Sequence, residues 1–250
     1  MIRFVFLICC ATSIFILSSF ASPSSDEVAD QCGLQLAQTE FVYSNRLKAC
    51  ADEGNPEALA WLGILYWSDI ESEQTKFHQD GIPYTETRLE ELGLAAMKSA
   101  ASKGNLVAAN ELGLAYMEGT FGLDVDIQAA LPLLEAADAQ GDEFAPQNLA
   151  ILYANGRGVP RSKERALEYL KRSADRGSVI SLWTMGAYHL SKKTDADVET
   201  AEAYFLRAAI LGGACARPSE VCEDFQPLFE DEQTLYAANK HVASMSIASC

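Results

Sequence analysis

Apolar positions recur along this chain at helical spacing, and one short pattern returns at long intervals. A small residue opens it, Leu-Gly or a near variant follows, and an aromatic residue stands three positions beyond. The copies run from Ala58 to Tyr66, Ala108 to Tyr116, Ala145 to Tyr153 and, more worn, Ser181 to His189. A second pattern closes each unit. Larger apolar residues (Leu133 and Leu134, Leu167 and Leu170, Tyr204 and Leu206) lead into small ones (Ser99-Ala100-Ala101, Ala136-Ala137, Ser173-Ala174, Ala208-Ala209) and then a glycine. The closing glycines are Gly54, Gly104, Gly141, Gly177 and Gly212, separated by 50, 37, 36 and 35 residues. Two helices and two turns fill such a length, and self-similarity at this period marks units that bury their apolar faces only by stacking.

Local residues support that reading. Each closing glycine suits a left-handed position just past a helix, and Asn55, Asn105, Asp142 and Ser178 follow as good N-caps. One helix therefore stops and the next starts within about two residues, which forces an antiparallel turn. A glycine inside a helix costs about 1 kcal/mol against alanine. Repeating that cost at Gly63, Gly113 and Gly186 implies a neighbouring helix that comes close, with Ala150 in the same role in the third copy. Tyr66, Tyr116 and Tyr153 lie one turn further on the same face, where packing with the hydroxyl at the rim is the expected role. Between the helices of the third unit, Asn155-Gly156-Arg157-Gly158-Val159-Pro160-Arg161-Ser162 makes a glycine turn, a Val159 plug and a Ser162 cap. The second unit keeps a version from Gly119 to Asp126; the fourth, Ser191 to Asp197, has lost its glycines. Without a preceding strand or a Lys-Ser/Thr ending, these glycines are no phosphate loop.

The pattern A-x-x-x-L-G-x-x-Y, then G-x-G-V, a capped second helix and a final A-A-x-x-G resembles the Sel1-like repeat, a relative of the tetratricopeptide repeat. The resemblance covers Asn55 to Gly213. It implies an all-α fold, a right-handed α-solenoid of antiparallel helix pairs with about four repeats, plus capping helices at both ends. It also implies adaptor or scaffold work, with a protein or peptide held on the concave face. Some cysteine-rich exported relatives have been linked to β-lactam binding, but their disulfides recur within each repeat, and here they do not. The expected organisation is a signal peptide at 1–21, a capping hairpin at 22–54, repeats at 55–104, 105–141, 142–177 and 178–213, and a disulfide loop with a capping helix at 214–250.

Three departures stand out. The first unit carries an insertion of about fourteen residues between Trp67 and Thr87. Long loops on solenoids often sit at a binding edge, so Phe77, Ile82 and Tyr84 are candidate partner contacts; the competing reading folds them back onto Trp67. Pro132 falls inside the second helix of unit two, at an exposed register, and predicts a kink near Gln128. After Gly213 the repeat stops, and a segment from about Glu232 to Ser244 reads as one helix closing the stack.

Charge and cysteines change the picture further. Arg3 precedes an apolar run from Phe4 to Phe20, and Ser19-Phe20-Ala21 offers small residues for cleavage after Ala21. The run is short for a membrane span and carries several hydroxyls, so the expectation is an exported chain, periplasmic or extracellular, without stable membrane insertion. Cleavage leaves eighteen basic residues against thirty-five acids, a net charge of −17. That excess repels phosphate backbones, which argues against nucleic acid; its first reading is solubility, and its second is the steering of a basic partner. Export lets disulfides persist among Cys32, Cys50, Cys215, Cys222 and Cys250. We pair Cys32 with Cys50 and Cys215 with Cys222, leaving Cys250 free or intermolecular; other pairings remain open on spacing alone.

No residue earns a catalytic, cofactor or metal role from sequence. The chain has no Gly-x-Ser-x-Gly, Ser-x-x-Lys or His-Glu-x-x-His, and no C-x-x-C. His78, His189 and His241 fall in an insertion, a repeat helix and the tail, and His189 occupies a packing register. The reading is therefore a binding scaffold and not an enzyme. Its competitors are an enzyme or small-molecule binder in the groove, for a cell-wall fragment or a β-lactam-like ligand, and an acidic regulator of a membrane-bound kinase or secretion system.

Overall fold

The computed structural model describes Cys32 and residues 45–70, 78–79, 82–192, 194–212 and 228. Among the described residues nine helices follow one another: α1 (Asn45–Asp52), α2 (Pro56–Ile70), α3 (Glu86–Ser102), α4 (Leu106–Glu118), α5 (Ile127–Ala139), α6 (Ala145–Asn155), α7 (Lys163–Arg176), α8 (Val179–Lys192) and α9 (Asp195–Gly212). Two short strands, β1 (His78–Gln79) and β2 (Ile82–Pro83), pair antiparallel inside the insertion, with Gln79 opposite Ile82. They are local to that insertion. The contacts divide the chain between Ala137 and Asp138, inside the last turn of α5, into two compact units.

In the N-terminal unit, α1 packs on α2. Leu47 and Ala51 meet Ala58, Trp61, Leu62, Leu65 and Tyr66, with Leu89 of α3 and Cys32 completing the cluster. The pair α2/α3 is antiparallel, since Lys103 Nζ donates to the Gly54 carbonyl at 2.5 Å while Trp67 lies against Gly93 at the other end. A second cluster joins Ala60 and Trp67 of α2, Met97 and Ala100 of α3, and Ala108, Leu112 and Ala115 of α4. The mid-helix glycines explain the closeness. A Cβ on Gly63 would sit 2.9 Å from Met97 Cγ, and one on Gly113 would sit 2.8 Å from Leu134 Cδ2. Gly93 does the same for the Trp67 indole, whose Cδ1 would lie 2.4 Å from an added Cβ.

The turns follow from their residues. Gly54, Gly104, Gly141 and Gly177 have φ of 88°, 83°, 99° and 111°, the left-handed region that spares a side chain only in glycine. The next helix is capped at once: Asn55 Oδ1 accepts from the Ala58 amide at 2.9 Å, Asn105 Oδ1 from Ala108 at 2.8 Å, and Asp142 Oδ1 from Ala145 at 2.6 Å. Helix α5 runs unbroken through the exposed Pro132. In the α4–α5 loop Phe121 adopts φ 54°, a cost of about 1 kcal/mol for a residue with a side chain. Its ring stacks on Trp67 at 4.2 Å with planes 2° apart, and a pairing of this kind contributes about 0.5–1.5 kcal/mol in return.

In the C-terminal unit, α6 pairs with α7 and α8 with α9. Helix α6 is buried from Ala145 to Ala154, polar Gln147 and Asn148 included. Helix α7 is amphipathic: Ala166, Leu170, Ser173 and Ala174 point inward at helical spacing, and Lys171 and Asp175 pair on the exposed side at 2.7 Å. The third close approach joins α8 to α9, where a Cβ on Gly186 would lie 2.4 Å from Phe205 Cε1.

Candidate functional site

The residues singled out in the insertion separate. Phe77 lies outside the described residues. Ile82 belongs to β2, and Tyr84 is half-buried against the α1–α2 cluster that contains Trp61, Tyr66 and Leu89. Tyr84 thus anchors the C-terminal end of the insertion next to the start of α3, which Thr85 caps by accepting from the Arg88 amide at 3.2 Å. The sulfurs of Cys32 and Cys50 lie at bonding distance, with Cα atoms 5.7 Å apart, at the α1 end of the same cluster. Cys215, Cys222 and Cys250 lie outside the described residues.

In the repeat's tyrosine register Tyr66 and Tyr153 are buried and Tyr116 is half-buried. Tyr153 is buried; Arg165 of α7 donates to its hydroxyl at 3.1 Å and lies over its ring, and Tyr169 stacks against it at 5.6 Å. His189, in the equivalent place in α8, stacks on Tyr204 of α9 at 5.7 Å, and its Nδ1 is 2.9 Å from Asp197. The Thr194 hydroxyl donates to the other Asp197 oxygen at 2.6 Å. That hydrogen bond, and then the one to His189, hold the Asp197 carboxyl below its usual range. The carboxylate stands between hydroxyl and imidazole, so the ring has no hydroxyl to activate here. This trio ties α8 to α9 and lacks the order that nucleophilic catalysis needs.

A denser polar cluster lies where the end of α5 meets α6, α7 and the start of α8, and nothing in the sequence reading singled it out. Asp138, with its side chain 7 % exposed, accepts from Arg172 and, at 2.7 Å, from Arg176. Arg176 also donates to the Asp142 carbonyl at 2.6 Å and the Asp138 carbonyl at 2.9 Å. Burial pushes the Asp142 carboxyl up, opposed by its two backbone hydrogen bonds and by Arg176; burial and the neighbouring Asp142 push Glu143 up. Deeper in, Ser181 donates to Ser173 at 2.9 Å, Ser173 to the Glu143 carbonyl at 2.7 Å, and Ser178 to Gln147 Oε1 at 2.9 Å. The spacing of four between Asp138 and Asp142, and again between Arg172 and Arg176, is the one signal that could have flagged this cluster. It reads equally well as two solvated helix faces. The buried serines donate to a backbone carbonyl, to the Gln147 amide oxygen and to each other, and no imidazole or carboxylate accepts from them in these bonds. Among the described residues no group of three His, Cys, Asp or Glu side chains could hold a metal ion, and no helix is long and apolar enough to cross a membrane.

The surface charge is uneven. Residues 45–137 hold fifteen acidic and six basic side chains, whereas residues 138–212 hold ten of each. The acidic excess among the described residues therefore belongs to the N-terminal unit, where Glu57, Glu86, Glu91, Glu118 and Asp124 are exposed.

Stacked, glycine-spaced helix pairs with capped turns define an α-solenoid. The model for the family described as "Sel1 repeat" matches residues 106–142, 147–178 and 184–213. Over those three stretches the chain matches Sel1 repeats, whose family is generally one of protein–protein interaction scaffolds. It is 33% identical over 92 residues to "Protein sel-1 homolog 2" of Mus musculus; that stretch is 37% of this chain and 13% of the mouse protein. Among solved structures it resembles a Sel1 repeat protein from Oxalobacter formigenes, with a TM-score of 0.55 and 23% identity over 80% of this chain and 78% of that one. It also resembles a protective antigen of uropathogenic Escherichia coli strains that displays an SLR fold, with a TM-score of 0.55 and 24% identity, covering 69% of this chain and 34% of that chain. At these identities the structural likeness is one of fold.

Proposed function

We propose that this chain is an exported scaffold that binds a basic protein or peptide, holding it on the concave side of its repeats and bringing it to a second component. The observation that carries the proposal is how the polar chemistry is used. The His189 imidazole, the buried serines and the Asp138 and Asp197 carboxylates hold helices together, while the N-terminal unit presents an acidic surface. An excess of one charge raises the local concentration of an oppositely charged partner and speeds its encounter, in a salt-dependent way. Export is supported by the N-terminal apolar run behind Arg3 and by the Cys32–Cys50 approach, which closes the capping end in an oxidising compartment. In this reading the insertion with Phe77 and Ile82 forms the edge of the binding face, anchored by Tyr84.

The test is affinity capture on the chain from residue 22, with envelope or secreted fractions and identification by mass spectrometry. A partner should be recovered whose affinity falls as salt rises and falls again when Glu86, Glu91 and Asp124 are reversed to Lys. Deleting residues 70–82 should weaken capture with helicity retained. Recovery of no partner, or of one indifferent to salt and to these variants, overturns the proposal. Saturable binding of a cell-wall fragment in place of a protein would move the chain to the small-ligand class.

A further inference from the structure

The α4–α5 and α6–α7 turns share one backbone design. Gly119 and Gly156 open them at φ 69° and 71°. The Asp126 amide donates to the Tyr116 carbonyl at 2.8 Å, and the Ser162 amide to the Tyr153 carbonyl at 2.9 Å. Each of these residues then caps the next helix: Asp126 Oδ1 accepts from the Ala129 amide at 3.0 Å, and Ser162 Oγ from the Arg165 amide at 3.2 Å. The cargo of the two turns differs. Counted from the glycine and the cap, Thr120, Val125, Ile127 and Ala129 of the first are replaced by Arg157, Arg161, Lys163 and Arg165 in the second. The backbone forms without these charges, so the turn itself does not require them.

The charges also stand against the local field. Lys163 and Arg165 lie in the first turn of α7, at the positive end of the helix dipole, where acids are favoured. Among the described residues each is held by an aromatic ring in place of a carboxylate. Lys163 Nζ lies 5.3 Å from the centre of the Tyr188 ring, and the Arg165 guanidinium lies 5.2 Å from that of Tyr153 while donating to its hydroxyl. Lys192 approaches the Tyr188 ring as well, at 4.9 Å, so two ammonium groups converge on one ring. A ring orients a cation without cancelling its charge. Residues 157–165 thus hold four basic side chains and one acid, Glu164, in a chain of net charge −16. Arg161, Arg165 and Lys192 are exposed. Asp195 and Asp197 open α9 beyond Lys192, and Asp197 is already taken by Thr194 and His189.

We infer that the α6–α7 turn docks an acidic peptide segment of a second protein, and, resting on the scaffold reading, that this protein is the second component brought to the basic one. Carboxylates supply the charge that Arg161, Lys163 and Arg165 lack, and complementary charge gives such an edge its selectivity. A short acidic segment fits better than a nucleic acid, whose continuous phosphates meet the acidic excess of the rest of the chain.

Fluorescence anisotropy on the chain from residue 22 tests this, with a short labelled peptide of alternating Asp and Glu around one Tyr. Its Asn and Gln counterpart is the control. At low salt the acidic peptide should bind at least about tenfold tighter than the control, and added salt should erase most of the difference. Giving the turn the residues of its earlier counterpart, by Arg157→Thr, Arg161→Val, Lys163→Ile and Arg165→Ala, should remove that preference with the thermal melt retained. The milder pair Arg161→Gln and Lys163→Gln leaves Arg165 on Tyr153 and should weaken acidic-peptide binding by about fivefold. Equal binding of the two peptides overturns the proposal, as does acidic-peptide binding that the milder pair leaves unchanged. Tighter binding of a single-stranded oligothymidylate overturns it in favour of phosphate. An oligomer in sedimentation velocity that the milder pair disperses overturns it in favour of a second copy. Glu86→Gln, Glu91→Gln and Asp124→Asn should leave acidic-peptide binding within about twofold, since they lie in the N-terminal unit. Loss of basic-partner capture with the acidic peptide still bound therefore sinks the scaffold reading and not this edge.

Discussion

Replacing Gly186 with Ala sets two known effects against each other. Alanine in a helix interior is favoured over glycine by about 1 kcal/mol. The new methyl, however, would stand 2.4, 2.7 and 2.9 Å from three atoms of the Phe205 ring, where ordinary contact begins at 3.4 Å. The ring must retreat by about 1 Å, and it has little room. Phe205 is 1% exposed and lies 5.0 Å from Trp183. Overpacking of this kind costs about 1–3 kcal/mol, and a rigid, enclosed ring belongs at the upper end, so the net loss is about 2 kcal/mol. Gly63→Ala meets the flexible Met97 side chain at 2.9 and 3.2 Å and only grazes the Gly93 carbonyl at 3.3 Å, so it should stay within about 1 kcal/mol of the parent. Urea unfolding followed by circular dichroism reads both. Adding Phe205→Leu should relieve Gly186→Ala, with a favourable coupling of at least about 1 kcal/mol in the double-mutant cycle. A neutral or stabilising Gly186→Ala, or no coupling to position 205, would refute the idea that these glycines exist to let helices close.

Asp138→Ala removes the shared acceptor of Arg172 and Arg176, whose side chains are 40% and 26% exposed. Breaking a fully buried pair costs about 3–5 kcal/mol, so with both guanidinium groups reaching water we expect about 2–3 kcal/mol in urea midpoints, against about 0.5 kcal/mol or less for Asp52→Ala in the exposed Lys48 pair. Cys50→Ser should lower stability by about 3 kcal/mol, the closure value for a separation of 18 residues, and reductant should shift the thermal melt of the parent but not of the variant. The pH response of Asp142 has a definite sign. Burial raises its folded-state carboxyl above its ordinary value, so its ionised form weakens the native state at neutral pH. As pH falls through the raised value the native chain takes up a proton before the unfolded chain does, and stability rises until the unfolded carboxyl also protonates. Asp142→Asn keeps the Oδ1 cap and should flatten this part of the slope; a steeper slope toward acid stabilisation would contradict the assignment.

Turns and close approaches were legible in the sequence because each rests on a backbone demand that few residues meet. Gly104 must sit at positive φ, Asn105 must accept from the first turn, and Gly113 must lack a Cβ facing Leu134. Such demands recur with the repeat and so become visible as a pattern. Contacts particular to one unit do not recur. Gly93 looked ordinary because its partner, the Trp67 ring, sits one residue beyond the repeat's tyrosine. Phe121 gave no sign of its left-handed backbone, since the stacking that offsets the strain comes from a helix fifty residues earlier. The first unit, which the family model leaves unmatched, packs its α2/α3 pair around Gly63 and Met97 in the same way as its successors. Its insertion and its Trp67–Gly93 contact obscure the pattern without changing the pairing.

The buried serines explain how units so alike avoid pairing out of register. Ser173 stands four residues before its closing glycine, where the other units have Ala100, Ala137 and Ala208; Ser181 stands five before Gly186, where they have Ala58, Ala108 and Ala145. In the N-terminal unit the matching positions Ala100 and Ala108 share one apolar cluster. In the C-terminal unit the two serines face each other at 2.9 Å. One serine alone against an alanine would bury a hydroxyl without its partner, at a cost of about 1–3 kcal/mol. The pair forms only when α7 meets α8; slipping α8 onto another unit's second helix takes the Ser173 acceptor from Ser181, while Ser173 keeps its bond to the Glu143 carbonyl. Apolar surface drives the helices together without choosing among them, and the choice rests on substitutions made in pairs, at positions the repeat otherwise keeps small and apolar.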